Sequence, residues 1–178
     1  MRSKIWPRRP ISWAPVLVFI AMVGAVTPAA AELRIDITQG TVEPLPIAVT
    51  DFLGTSPDEA RFGRDISGVV SADLERSGLF RSIDRQAFIQ TIESLTTLPQ
   101  FVSWRVINAQ ALVQGRAQVV EDGRLRVQFR LWDVFAGQQM EGLAYTAEQA
   151  GWRRVAHLIA DAVYKRITGE KGYFDTRV

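Results

Sequence analysis

Two glycine turns, Asp122-Gly123 and Ala136-Gly137, separate three runs of alternating apolar and polar residues, and nothing else constrains this chain as tightly. Asp-Gly between such runs is a strong hairpin signal, because the tight turn needs positive φ that glycine adopts freely. Residues 109–120, 124–133 and 138–147 are therefore predicted as three antiparallel strands of a meander. In the middle strand Leu125, Val127, Phe129 and Leu131 face one way, while Arg124, Arg126, Gln128 and Arg130 face the other. Such a sheet has one face to bury against another layer.

The helices are legible on either side. Ser56 is placed to cap a helix, Pro57 suits its first position, and Glu59 completes a capping box, so a helix is predicted from there to about Ser77, stopped by Gly78. Phe62, Ile66, Val69 and Val70 form its inward stripe, and Asp73 falls on that same stripe. A helix over 149–168 places Trp152, Val155, Ala156, Ile159, Val163 and Ile167 on one face and ends at Gly169. Residues 46–52 read as a short buried strand and Leu79 to Ile83 as another. Asp84 is predicted to cap a helix through Leu95 with Phe88, Ile89, Ile92 and Leu95 inward; Phe101 to Ile107 is given one or two helical turns. The fold class is thus α/β, with α+β character: a mixed sheet of about five strands packed with two to three helices, the antiparallel meander lying toward the C-terminal half. The C-terminal residues Tyr173 to Val178 read as the opening of a strand without a partner, following a Glu170-Lys171-Gly172 linker, so 170–178 are expected to be mobile.

The N-terminus carries Arg2, Lys4, Arg8 and Arg9, an apolar stretch from Val16 to Val26, and small residues through Ala31. This is the pattern of a secretory signal peptide, expected to be cleaved after Ala31 and too short in its apolar part for a membrane anchor. Of the 21 Lys and Arg in the 178-residue chain, these four are lost with the leader, leaving 17 bases against 19 acids. The positive charge therefore belongs to the leader, and nucleic-acid binding is not expected. The chain has no Cys and one His, which excludes disulfides, thiolate nucleophiles and thiolate metal sites.

After the leader, Glu32, Leu33, Arg34, Ile35, Asp36 and Ile37 alternate with the period of a strand. Gly40, Pro44 and Pro46 separate this segment from the core, marking it as a detachable arm. Three places could carry chemistry. His157 lies one helical turn from Arg153 and from Asp161, a spacing that suits an oriented base but equally a surface hydrogen bond. Asp73 on an apolar stripe needs a partner; hydrogen bonds to loop N–H groups or an Arg near the helix end are the ordinary solution, and convergence with Asp51 the enzymatic one. The Arg face of 124–133 shares its meander with Glu121, Asp122, Asp133 and Glu141, so a mixed, solvated surface is expected. No catalytic residue, cofactor or metal set is identified.

The segments PIAVTDF (46–52), ISGVVSADLERSGLFRSID (66–84), FVSWRVINAQALVQG (101–115), RVQFRLWDVFAGQQMEG (126–142) and WRRVAHLIADAVYKRITGEKGYFDTRV (152–178) together resemble the amino-terminal domain of the TolB family of Tol–Pal systems. The resemblance implies a periplasmic, non-catalytic adapter acting in cell division and outer-membrane integrity, bound to the inner-membrane protein TolA through the mature N-terminus, here Glu32 to Ile37. The family's β-propeller, which contacts the lipoprotein Pal, has no counterpart in these segments, so Pal is expected as a partner only where a propeller is supplied elsewhere. The implied domains are 1–31 leader, 32–40 arm, 41–168 α/β domain and 169–178 linker with the start of the missing propeller. The rival readings are a small-ligand or glycan-binding domain and a hydrolase using Asp73 and Asp51.

Overall fold

The computed structural model describes residues 43–175. Its sheet has five strands, β1 (Leu45–Val49), β2 (Phe80–Ser82), β3 (Ala111–Val119), β4 (Leu125–Asp133) and β5 (Gln138–Ala147), in the order β2-β1-β3-β4-β5. β1 runs parallel to both β2 and β3, whereas β3, β4 and β5 form the antiparallel meander. Every residue of β1 is buried, as expected of a central parallel strand covered on both faces.

Two long helices, α1 (Pro57–Arg76) and α3 (Trp152–Thr168), cover one face of the sheet. The main core forms there, from Phe62, Ile66, Val70 and Leu74 of α1, Val155, Ile159, Val163 and Ile167 of α3, and the apolar side of the meander. α1 begins with the predicted capping box: the Ser56 hydroxyl accepts the Glu59 N–H, and Glu59 Oε2 accepts the N–H of Ser56 at 3.1 Å and of Thr55 at 2.8 Å. α3 stops at Gly169, whose φ of 81° is the left-handed cap that glycine allows.

The opposite face carries a second cluster in which Ala48, Leu112, Trp132 and Val134 meet Trp104, Ala109 and Ile92. A short helix α2 (Phe101–Val106) supplies Trp104, in keeping with the one or two turns expected at 101–107. The helix expected over 84–95 does not form. Asp84 does cap, but only a single 3₁₀ turn at Arg85–Ala87, and residues 88–100 are irregular. The run contains Thr91, Ser94, Thr96 and Thr97, and the Ser94 hydroxyl bonds the Thr96 N–H and hydroxyl, local bonds that compete with a helical ladder. Gln90 fixes the alternative path by accepting both the Gln100 N–H and the Trp104 indole N–H at 2.8 Å. Ile92 and Leu95 are buried as expected, while Ile89 is exposed.

Among the described residues no helix is long and apolar enough to cross a membrane.

Candidate functional site

The arm Glu32, Leu33, Arg34, Ile35, Asp36 and Ile37, and the expected cleavage site after Ala31, lie outside the described residues. The other candidates can be placed. Asp73 is 1 % exposed and ties the two long helices together, with Oδ2 accepting from His157 Nδ1 at 2.5 Å and Oδ1 from Arg76 at 3.1 Å. The Arg near the helix end was anticipated. The histidine was not, because it arrives from α3, 84 positions away in the chain. His157 therefore pairs with Asp73 and not with Asp161, and makes no second hydrogen bond among the described residues. Nor do Asp73 and Asp51 converge: Asp51 is held by Arg85 at 2.7 Å and by the Ser67 hydroxyl at 3.3 Å. Asparagine keeps the shape of this buried side chain but loses the charge that meets Arg76 and one of the two oxygens that hold Arg76 and His157, so Asp73→Asn is expected to lower stability by roughly 1–3 kcal/mol. Thermal melting measures that loss, and partner binding by the folded fraction is expected to stay unchanged.

Asp161 has a different task. Its carboxylate accepts the N–H of Phe174 at 2.8 Å and of Asp175 at 3.2 Å, and Asp175 pairs with Arg154 at 3.2 Å. Phe174 is buried in the main core and packs edge-to-face on Tyr164. The expectation that this segment has no partner on the domain is thus corrected for Phe174 and Asp175; the remainder of the expected strand, 176–178, lies outside the described residues. Gly172 permits the docking, since a Cβ there would overlap the Asp161 side chain.

Glu59 joins the start of α1 to the end of β3, because Oε1 accepts the Val119 N–H at 2.8 Å while Oε2 serves the capping box. Burial pushes its carboxyl upward, but the N–H groups of Val119, Thr55 and Ser56 together with the charge of Arg116 outweigh it and hold the group below its usual 4.5. With the folded value depressed, the stabilisation is complete above about pH 4.5 and is lost as the pH falls through the lower folded value. Glu59→Gln is therefore expected to cost ~1–3 kcal/mol at pH 7, in line with charged hydrogen bonds. Urea melts taken down the pH scale should show this deficit shrinking below pH 4.5.

The Arg face is mixed, as expected, at the β3–β4 turn, where Glu121 is exposed, and less so along the strands. Glu141 shares its side of β5 with Leu143 and Tyr145 and lines a groove against α3. Asp133 is buried, capping the β4–β5 turn through the N–H groups of Phe135 and Ala136, and Asp122 is paired with Arg124 at 2.7 Å in the preceding turn. What remains on the outer face is Arg126, Gln128 and Arg130, joined by Arg116 of β3, which the alternation of Gln114, Arg116 and Gln118 would have identified.

A single mixed sheet with two long helices on one face and an irregular cover on part of the other defines an α/β domain in which Asp51, Glu59, Asp73 and Asp161 each bind one part of the fold to another. The chain belongs to the TolB family: the TolB amino-terminal domain matches residues 33–140. It is 55% identical over 168 residues to the Tol-Pal system protein TolB of Paramagnetospirillum magneticum, covering 94% of this chain and 38% of that one. It therefore spans under two fifths of the length of that relative. The crystal structure of TolB from Acinetobacter baumannii shares the fold with a TM-score of 0.62 at 23% identity, over 81% of this chain and 33% of the other. No propeller blade is present among the described residues.

Proposed function

We propose that this chain is a non-catalytic interaction domain of a Tol–Pal system, exported to the periplasm by a leader removed after Ala31, and that Glu32 to Ile37 captures a TolA-type inner-membrane partner by adding a strand to its sheet. The observation that carries this reading is the 55% identity to a Tol-Pal TolB across 94% of the chain. The engagement of Asp51 with Arg85 and of Asp73 with His157 supports a structural role for the two acids that an enzymatic reading would need. In this reading the domain links TolA to the outer envelope during cell division, and contact with Pal arises only where a propeller is supplied elsewhere.

The alternation of Leu33, Ile35 and Ile37 gives the arm one face to bury. Ordering six residues costs roughly 6–12 kcal/mol of backbone entropy. Burying three aliphatic side chains returns roughly 4–9 kcal/mol, and ladder hydrogen bonds add ~0.5–1.5 kcal/mol each. The terms nearly cancel, which makes the contact weak and reversible, suited to an envelope link that must form and release. Strand addition also makes the two faces unequal. Leu33→Asp, Ile35→Asp or Ile37→Asp should weaken binding to the soluble C-terminal domain of TolA far more than Arg34→Ser or Asp36→Ser, as measured by calorimetric titration. Equal effects from the two sets would rule out strand addition.

A further inference from the structure

The outer face of the meander has an uncovered half where positive charge stands without an acid. A groove of about 410 Å³ runs along it between the Leu95-Thr96 loop and the strands, lined by Arg116, Gln128, Arg130 and Gln139. No carboxylate lines it, and among the described residues Arg116, Arg126 and Arg130 form no ion pair or hydrogen bond through their guanidinium groups. Arg116 does lend its charge to Glu59, yet no bond joins the two. Gln114 is fully buried on the same face, opposite Arg130 in the β3–β4 register and two residues before Arg116, with both amide atoms unpartnered. The guanidinium groups are open to solvent and free to take a ligand, and the buried amide beneath them, which does not itself line the groove, is a kind of unpartnered group that folds tend to avoid.

The spacing narrows what that ligand is. Arg126 and Arg130 are four residues apart on β4, about 13 Å, and Arg116 stands between them on β3, opposite Gln128. An extended polypeptide presents the side chains of one face every ~7 Å, so carboxylates at alternate positions fall in step with Arg126, Arg116 and Arg130. We propose that this face is a second interaction surface, separate from the N-terminal arm, and that it binds an acidic segment of a partner protein in extended conformation, with Asp or Glu at every other residue. It goes beyond the arm reading and does not depend on it.

The test is fluorescence anisotropy with a labelled peptide of about ten residues alternating Glu and Thr, whose extended length of about 33 Å more than spans the row of arginines, titrated with the purified protein at low and physiological salt. Saturable binding that weakens at least about tenfold in Arg116→Gln/Arg130→Gln, and that falls with salt, is the expected result. Arg81→Gln/Arg153→Gln, a charge-matched control on β2 and α3, should bind as the parent does. Thermal melting checks that each variant is folded, and Arg126→Gln/Arg130→Gln replaces the first pair if that pair melts early. Deleting Glu32 to Ile37 should leave this binding intact, so failure here and failure of the arm reading are told apart. Absence of binding, equal losses in the control, or tighter binding of polygalacturonate than of the peptide at the same arginines would overturn the proposal, the last by making the surface a glycan site.

Discussion

Gly115→Val is expected to lower the stability of this domain by about 3 kcal/mol, the upper end of what overpacking a tight core costs. Phe52 leaves β1 and enters the main core, where its ring lies flat against the bare backbone of Gly115 on β3. On the other side its backbone touches Gly63 of α1, whose Cα must approach so closely that any Cβ would land on the Phe52 carbonyl oxygen. Phe52 is 2 % exposed and held from both sides, so neither the ring nor the backbone has room to move away. A melting temperature lower by roughly 10 °C is the corresponding shift for a domain of this size. The mechanism makes a further demand: Phe52→Leu, which shortens the side chain pressed on Gly115, should recover part of the loss when combined with Gly115→Ala. Additive losses in the double variant would mean that the two positions do not share one packing constraint.

Trp104→Ala is expected to cost about 4 kcal/mol, in the range for removing a fully buried large aromatic side chain. The indole is completely inaccessible, stacks edge-to-face with Phe88 at 5.1 Å between ring centroids, and donates its N–H to Gln90. It is therefore both the centre of the smaller cluster and the post to which the irregular 88–100 segment is fastened. Its loss should be felt unevenly. Hydrogen exchange is expected to accelerate most at residues 88–100, whose backbone is irregular, and least in β1 and β3, which stay covered on their other face by the two long helices. Uniform acceleration across the sheet would show that the smaller cluster is not an independent layer.

Much of this architecture is written in local pattern. The Asp122-Gly123 and Ala136-Gly137 turns and the alternation around them gave all three meander strands, because a period of two and a demand for positive φ are properties of neighbouring residues. The Ser56–Glu59 box and the stripe from Val155 to Ile167 are local in the same sense. Residues 84–95 failed for the opposite reason. Phe88, Ile92 and Leu95 are at helical spacing, but burial needs only that they reach the sheet, and Gln90 holds them there by bonds to Gln100 and Trp104 that no periodicity reveals. The Asp73–His157 bond was beyond reach because it joins helices that meet only after the sheet has formed. The Arg face stands between these cases. Alternation alone places Glu141 with Leu143 and Tyr145, away from the arginines, whereas the burial of Asp133 at the β4–β5 turn depends on how that turn closes.

The packing of Phe174 and the anchoring of Asp175 to Arg154 also have a mechanical consequence. They hold Asp175 beside the N-terminal part of α3. In sequence the proposed arm is separated from β1 by a stretch containing Gly40 and Pro44, and it is proposed to reach partners while the core stays unchanged.

The most direct test of the arm as the partner-binding element is a calorimetric titration of the soluble C-terminal domain of TolA into two forms of the protein, one intact after the leader and one lacking Glu32 to Ile37. The account predicts saturable binding to the intact form, no measurable binding to the deletion form, and the same melting temperature for both. Undiminished affinity in a folded deletion form would contradict it and place the TolA contact on the α/β domain itself.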